Sequence, residues 1–174
     1  ASIALGVPVR WVEDRREALI AGSQAKEAEC ELETAMSADG DLLAMRSRFR
    51  SDSGAYVSGI GAYVEFIVAA HTVPGLYALP AYAYEASAVL TSKAPLSAYR
   101  GVGMTVSQLV REVALDEAAR GAGIDRMELR RRNMIADGPW RNVMGEEYEP
   151  GSWRSAFTRA LELIDDTGFL VVQG

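Results

Sequence analysis

Residues 93–135, KAPLSAYRGVGMTVSQLVREVALDEAARGAGIDRMELRRRNMI, decide the fold of this chain. Their first part, residues 97–103, is a turn with two glycines that runs directly into a long amphipathic helix. Glycine permits positive φ and lets a backbone approach a ligand closely. The helix points its unpaired N–H groups and its positive dipole end back toward the turn. The sequence therefore predicts a loop that can hold an anionic group at a helix N-terminus.

Composition narrows the functional class before any motif is considered. The chain has 174 residues, is 49% hydrophobic and carries a formal net charge of −6, which predicts a soluble globular domain with its own core. The acidic balance argues against nucleic-acid binding, and we interpret the basic run at residues 130–132 as a solvated helix end. A single cysteine excludes an internal disulfide and a cysteine-rich metal or iron–sulfur site within the chain. No stretch reaches the roughly 18 apolar residues of a membrane span.

Two alternating segments predict an antiparallel hairpin. Acidic residues alternate in the first segment and basic residues in the second, with the turn signal Asp39-Gly40 between them. A two-residue loop there would place three opposite charges across from each other: Glu33 with Arg46, Glu31 with Arg48, and Glu29 with Arg50. We interpret these glutamates as solvated partners of the arginines rather than as catalytic carboxylates, because acid–base catalysis needs environments that separate the pKa values.

The other segments complete an α+β pattern. We predict strands at residues 7–12 and 82–92, helices at 15–21 and after the glycine loop, and an exposed loop at residues 140–151. By periodicity alone, residues 63–71 could be a buried helix or a buried strand. Asp14, Asp125 and Ser152 are the predicted N-caps, and the last helix is expected to end near Gly168. For the long helix the apolar spacing predicts a buried face made of Val106, Leu109, Val110, Val113, Ala114 and Glu117, with Arg111, Glu112 and Asp116 outside.

The order of these motifs resembles the large, molybdopterin-binding subunit of the xanthine dehydrogenase, aldehyde oxidoreductase and carbon monoxide dehydrogenase family. Residues 98–133 are similar to the family's A-[YF]-R-G-x-G loop, its helix with an acidic and alanine-rich run, and its G-I-D-x-x-E-L-R-x-x-N segment. Residues 9–15, VRWVEDR, are similar to an upstream family segment. The resemblance implies that residues 1–174 are part of a molybdopterin-binding domain, a mixed sheet packed with helices, within a longer chain.

The resemblance also assigns roles to the glycine loop. It implies that Tyr99, Arg100 and Gly101 bind the molybdenum–molybdopterin cofactor, and that the loop backbone at Arg100 lies beside the metal without providing a side-chain ligand. The alternative is a structural Arg100 that bonds loop carbonyls. The implied chemistry is oxidative hydroxylation with oxygen from water. The protein holds the cofactor and positions the substrate, and the metal performs the difficult step. The family's catalytic glutamate has no counterpart in these residues, so we expect the fragment alone to be inactive.

Departures from the family pattern narrow the range of expected substrates. Gly101 stands where carbon monoxide dehydrogenases place a copper-binding cysteine. Val102 and Val68 stand where xanthine dehydrogenases place an aromatic clamp and a substrate-facing arginine, so a purine would lose stacking and charge stabilisation. An aldehyde or N-heteroaromatic substrate against Val68 and Val102 is therefore expected. His71, the only histidine, is interpreted as structural because no second metal-binding residue accompanies it.

Partners follow from the same resemblance. It implies a cytosine dinucleotide form of the cofactor in a bacterium, iron–sulfur and FAD groups on partner subunits or domains, and an oligomeric full-length protein. We expect a cytoplasmic location, with the periplasm as the alternative. The competing hypothesis is a non-catalytic homologue or interaction module that keeps the fold, which the substitutions at Val68, Val102 and Met104 leave open.

Overall fold

The fold combines six helices and two small sheets within residues 1–59 and 61–164, which the computed structural model describes. The helices of this part are α1 Ser2–Leu5, α2 Arg15–Ala21, α3 Gly61–His71, α4 Met104–Ala122, α5 Arg126–Asn133 and α6 Trp153–Ile164. Its strands are β1 Ala28–Met36, β2 Leu42–Gly54, β3 Tyr82–Leu90, β4 Trp140–Arg141 and β5 Glu147–Tyr148. The predicted α+β class is confirmed.

The main sheet has the order β1-β2-β3, with β1 antiparallel and β3 parallel to the central β2. The predicted register is confirmed, and the three predicted charge pairs lie directly opposite one another. They form the charge ladder, Glu29–Arg50, Glu31–Arg48 and Glu33–Arg46, with closest N···O distances of 3.3, 2.7 and 2.7 Å. The two-residue loop was wrong, because the turn spans residues 37–41 and the register shifts by one at Met36.

The core lies between the sheet and the helices α3, α4 and α5. Phe49 from the central strand, Leu115 from α4 and Leu129 from α5 are fully buried. Each such side chain contributes about 1.5–3 kcal/mol by leaving water. The opposite face of β1 and β2 carries the charge ladder and stays exposed. The sheet is therefore covered on one face only within the described residues, as alternating strands require.

The predicted buried face of α4 was only partly right, because Val106 and Val110 do pack against the core. Leu109 and Val113 are 65% and 52% exposed, and they line an apolar groove of about 700 Å³ beside β1, whereas Leu115 and Ala119 face the core. The side of α4 that faces the core also carries Arg111, Glu112 and Asp116, which were predicted to lie outside. With Tyr77 and Arg130 from other segments, they form the Glu112 cluster: Tyr77, Arg111, Glu112, Asp116 and Arg130. Pairing of opposite charges within the cluster offsets the free-energy cost of removing them from water.

The Glu112 cluster joins α4 and α5 to the segment around Tyr77 that follows α3. The Glu112 carboxylate accepts hydrogen bonds from Arg111 Nε and Arg130 Nε, both at 2.9 Å, and from the Tyr77 hydroxyl at 3.0 Å. Arg130 also forms an ion pair of 2.7 Å with Asp116. The interpretation of Arg130 as a solvated helix end was therefore wrong, whereas its neighbours Arg131 and Arg132 are exposed.

Two other sequence predictions were also wrong. Residues 7–12 form no strand, because extended β-branched residues become a strand only beside a partner, and Trp11 remains 73% exposed. Residues 140–151 contain the hairpin β4–β5 rather than a plain loop. Its turn is held by the buried Asn142, whose Oδ1 accepts from the N–H groups of Met144 and Glu146, both at 2.9 Å.

Helix starts follow the predicted caps at two of three places. Asp14 forms a full capping box with Glu17, and Asp125 accepts from two N–H groups at the start of α5. At α6 it is Asp137 rather than Ser152 that accepts from the first turn, through Arg154 N–H at 2.7 Å. The predicted end near Gly168 lies outside the described residues. None of the described helices is long and apolar enough to cross a membrane.

Candidate functional site

The candidate site is the loop at residues 97–103, which connects the segment after β3 to the start of α4. The loop closes on itself because Val102 N–H donates to Tyr99 O at 2.7 Å, and Met104 N–H donates to Gly101 O at 3.1 Å. Gly101 has φ of 77° and Val102 has φ of 45°. A positive φ is ordinary for glycine and strained for valine, so outside contacts have to hold this shape.

Helix α3 supports the loop by direct backbone contact. A Cβ atom added to Gly103 would lie 2.2 Å from the carbonyl oxygen of Glu65 and 2.3 Å from the nitrogen of Ala69. One added to Gly61 would lie 2.5 Å from Ser97 Cα. These two positions have no room for a side chain. The glycines therefore set the distance between α3 and the loop.

Two charged side chains fix the ends of the turn. Glu65 of α3 is only 4% exposed, and its Oε1 accepts the Tyr99 N–H at 3.2 Å. On the other side, Lys26 Nζ donates to Val102 O at 2.7 Å and lies 5.9 Å from the centre of the Tyr99 ring, within range of a cation–π contact. The turn is thus held at Tyr99 by α3 and at Val102 by the segment before β1.

The base of the loop is fixed where β2 and β3 end. Asp52 accepts hydrogen bonds from Thr91 Oγ1 at 2.6 Å and from Gly54 N–H at 2.8 Å, and it pairs with Lys93 at 3.0 Å. These contacts, the Thr91 hydrogen bond foremost, lower the pKa of Asp52 to about 2. The carboxylate therefore stays ionised throughout the neutral and mildly acidic range.

This anchoring leaves two N–H groups of the turn for a ligand. Across the described residues, the N–H groups of Arg100 and Gly101 have no acceptor, whereas those of Tyr99 and Val102 are bonded inside the protein. We call the N–H groups of Arg100 and Gly101 the donor pair. Successive N–H groups in such a turn form a concavity for anions and oxygens, and the start of α4 adds its positive dipole end. The site therefore fits an anionic or oxo-bearing group.

Comparison with known proteins identifies the family of the chain. Residues 1–134 match the family described as molybdopterin cofactor-binding domain. The chain belongs to this family. It is 40% identical over 172 residues to the nicotine 6-hydroxylase large subunit of Paenarthrobacter nicotinovorans, covering 98% of this chain and 21% of that protein. It is 31% identical over 169 residues to the carbon monoxide dehydrogenase large chain of Hydrogenophaga pseudoflava, covering 95% and 21%.

Solved structures give the same result for the fold. The molybdopterin-binding domain described here superposes on quinoline 2-oxidoreductase from Pseudomonas putida 86 with a TM-score of 0.90 and 37% sequence identity, covering 99% of this chain and 22% of that one. The resemblance to molybdenum hydroxylase large subunits is thereby confirmed. The chain spans about a fifth of the length of the relatives that it matches.

In this molybdopterin-binding domain the predicted cofactor residues lie on the accessible side of the loop. The side chain of Tyr99 is 65% exposed, and Arg100 and Gly101 are exposed as well. The Arg100 guanidinium has no hydrogen-bond partner among the described residues. A contact through the loop backbone agrees with this geometry, and the assignment itself stays a prediction.

The two predicted substrate positions lie on elements that touch. Val68 and Val102 are both half-buried, and each directly precedes a member of the close contact between Ala69 and Gly103. The described structure thus brings the backbone of α3 next to Val68 and the loop backbone next to Val102 close together. A role in substrate binding stays a prediction for both.

Other candidate residues lie elsewhere. His71 Nε2 lies 3.2 Å from Glu146, so the histidine links the end of α3 to the hairpin β4–β5. The glutamates of the charge ladder face solvent and arginines, as predicted. Burial, aided by the charge of Glu31, raises the pKa of the Cys30 thiol to about 11, so this cysteine is a poor nucleophile at neutral pH.

Sequence reasoning missed Glu65 and Lys26. A lone acidic residue within the apolar segment YVEFIVAA was a usable signal for Glu65, because an unpaired buried carboxylate is costly. No comparable signal exists for Lys26, which reaches Val102 across 76 positions of sequence. Its contact depends on the segment around Gln24 pairing with residues 95–97.

Proposed function

We propose that this chain forms the cofactor-loop part of a molybdenum hydroxylase that oxidises an N-heteroaromatic or aldehyde substrate with oxygen from water. The observation that carries the proposal is the donor pair of Arg100 and Gly101, on a loop held at both ends. Membership of the molybdopterin cofactor-binding family supports the molybdenum cofactor as the ligand of this donor pair.

Each part of the loop has a defined task in this proposal. When bound, the molybdenum cofactor supplies the two-electron oxidation and the oxygen transfer. The Arg100 and Gly101 N–H groups would hold the cofactor by donating hydrogen bonds to it, and their fixed geometry would cost no reorganisation during reaction. Tyr99 shields the accessible side of the loop. Positioning of this kind, rather than proton transfer, is what the residues of this chain contribute.

The substrate class follows from the aliphatic residues beside the loop. Val68 and Val102 offer apolar contact and no charge, which suits a neutral aromatic ring. Two similar proteins are named for nicotine and quinoline, which are both nitrogen heteroaromatics. Gly101, in place of a cysteine, gives no ligand for copper and argues against carbon monoxide as substrate. We therefore favour an N-heteroaromatic substrate over an aldehyde.

The proposal includes partner subunits. Similar proteins are named as a large subunit and as subunit gamma of a dehydrogenase complex, which supports a multisubunit assembly. Electrons would leave through iron–sulfur and FAD groups on those partners. The cytosine dinucleotide form of the cofactor and a cytoplasmic location belong to the same proposal.

The test is to purify the complete large subunit with its co-expressed neighbours and measure molybdenum, pterin and turnover of azaarenes. We expect near-stoichiometric molybdenum in the wild type. Gly101→Ala should lower turnover by about tenfold or more, since alanine at φ 77° is strained and its Cβ would lie 2.7 Å from Thr105 Cγ2, which displaces the donor pair.

Gly123→Ala is the matched control. Gly123 has φ of 67°, so the backbone strain is similar, but a Cβ there meets no atom within 4 Å and the loop is remote. This variant should keep wild-type turnover. A wild-type protein without molybdenum, made in a host that synthesises the cofactor, would refute the proposal and favour the non-catalytic homologue.

A further inference from the structure

Glu65 is an acidic residue in the middle of the apolar helix α3. It is 4% exposed, and burying a carboxylate without partners is costly. Its Oε1 accepts the Tyr99 N–H at 3.2 Å, while its Oε2 is buried and has no hydrogen-bond partner in the described part of the chain. An apolar residue would fill this position in α3 more favourably. The carboxylate therefore needs an explanation beyond packing.

The Tyr99 N–H that Glu65 accepts stands directly before the donor pair. Four successive N–H groups, from Tyr99 to Val102, form the turn. The first is bonded to Glu65 and the last to Tyr99 O, which leaves the middle two for a ligand. Because peptide groups are planar, only φ and ψ of Tyr99 separate its amide from that of Arg100, and the bond from Val102 N–H to Tyr99 O restricts the orientation of this next peptide group.

We infer that Glu65 is a positioning residue that sets the direction of the Arg100 and Gly101 N–H groups by holding the Tyr99 amide. Its catalytic consequence rests on the proposed function. Lys26 complements it at the far end of the turn, where its ammonium group holds Val102 O at 2.7 Å. The turn is thus held by an acceptor at its first amide and by a donor at its last carbonyl.

Two substitutions separate positioning from burial. In Glu65→Gln the amide oxygen still accepts the Tyr99 N–H, and the NH2 group takes the place of Oε2. In Glu65→Met a side chain of similar length fills the same space without any acceptor. A purely structural role predicts that methionine is tolerated at least as well as glutamine. Positioning predicts the reverse order.

The first measurement uses the complete large subunit with its partner subunits. For Glu65→Met we expect kcat to fall about tenfold, equivalent to about 1.4 kcal/mol in the barrier, with wild-type molybdenum content and little change in KM. The electron paramagnetic resonance signal of the partly reduced metal should also change. Glu65→Gln should restore kcat to near the wild-type value. Equal kcat for the two variants would overturn the inference.

The second measurement does not depend on the metal. Hydrogen exchange of the peptide over residues 97–103 should become faster in Glu65→Met and stay at the wild-type rate in Glu65→Gln. Ser107→Ala is the control, since it removes a buried hydroxyl bonded to Thr72 between α3 and α4 without touching the Tyr99 amide. Faster exchange in both Glu65→Met and Ser107→Ala would mean general loosening and would refute positioning.

The proposed function and the inference about Glu65 can be refuted independently of each other. A wild-type protein that takes up no molybdenum would refute the proposed function, and hydrogen exchange would still decide whether Glu65 holds the loop. A protein with metal and turnover, in which Glu65→Met exchanges like the wild type, would refute the inference and leave the proposed function standing.

Discussion

The charge ladder on β1 and β2 and the Glu112 cluster both pair acidic with basic side chains, but solvent reaches them very differently. In the ladder, Arg46 and Glu33 have 60% and 65% of their side chains exposed. In the cluster, Arg130 and Arg111 have only 10% and 12% exposed. The ladder mainly selects the strand register, because exposed pairs contribute about 0.2–1 kcal/mol or less. The cluster fixes how α4 and α5 pack, because a buried charge is costly without its partner.

The largest effect is expected when the cluster loses its central cation. Arg130→Met leaves the Glu112 and Asp116 carboxylates without this partner, and we expect the free energy of unfolding to fall by about 2 kcal/mol. This is below the roughly 3–5 kcal/mol of a fully buried pair, because water reaches the 31% of Glu112 that is exposed. Urea denaturation followed by tryptophan fluorescence measures the change.

Its neighbour gives the matched control. Arg131 is exposed and pairs only with Glu128 of its own helix among the described residues. Arg131→Met should change the free energy of unfolding by no more than about 0.5 kcal/mol. Equal losses in the two variants would show that the cluster is no more important than a surface pair.

A smaller effect of the cluster on stability is expected at alkaline pH. Burial, followed by the negative charge of Glu112, raises the pKa of Tyr77 well above its ordinary value. Tyrosine in the unfolded chain titrates near pH 10, so above that pH the unfolded state binds fewer protons and stability falls as pH rises. Tyr77→Phe should make this slope shallower, so that the stability lost between pH 9 and 11 is smaller by about 1.4 kcal/mol in total. Denaturation curves between pH 9 and 11 test it, and an unchanged slope would contradict the buried state of this hydroxyl.

The smallest effect is expected in the ladder. Glu31→Gln should cost only a few tenths of a kcal/mol, because the Glu31–Arg48 pair is exposed to water. A double-mutant cycle with Arg48→Met should give a coupling of the same size that shrinks as salt is raised, since salt screens exposed charges. A coupling of about 2 kcal/mol at high salt would place the ladder in the same class as the cluster.

The same contrast explains what the sequence could predict. The ladder repeats every second residue on both strands, so its register follows from local order alone. On α4 the apolar spacing of Leu109 and Val113 pointed to the wrong face, because Arg111 and Glu112 turn inward only when Tyr77 and Arg130 are already beside them. Those partners come from other segments, and periodicity carries no information about them.

The candidate site divides in a similar way. The loop itself, with Arg100 and its two glycines, was visible as a contiguous motif. Its supports were not, because Glu65 and Lys26 lie 34 and 76 positions away from the atoms that they hold. The positive φ of Val102 depends on those supports, and the sequence of the loop alone does not predict it.

The parallel pairing of β2 and β3 has a consequence for where chemistry can occur. Strands that run side by side in one direction deliver their carboxyl ends to one edge, and here Gly54 and Leu90 end together. The chain leaves the first strand toward α3 and the second toward the Arg100 loop, so support and loop emerge from neighbouring points. The antiparallel strand β1 begins at the same edge, where the segment before it brings Lys26 to the loop. The sheet thus gathers three distant stretches of chain at a single edge.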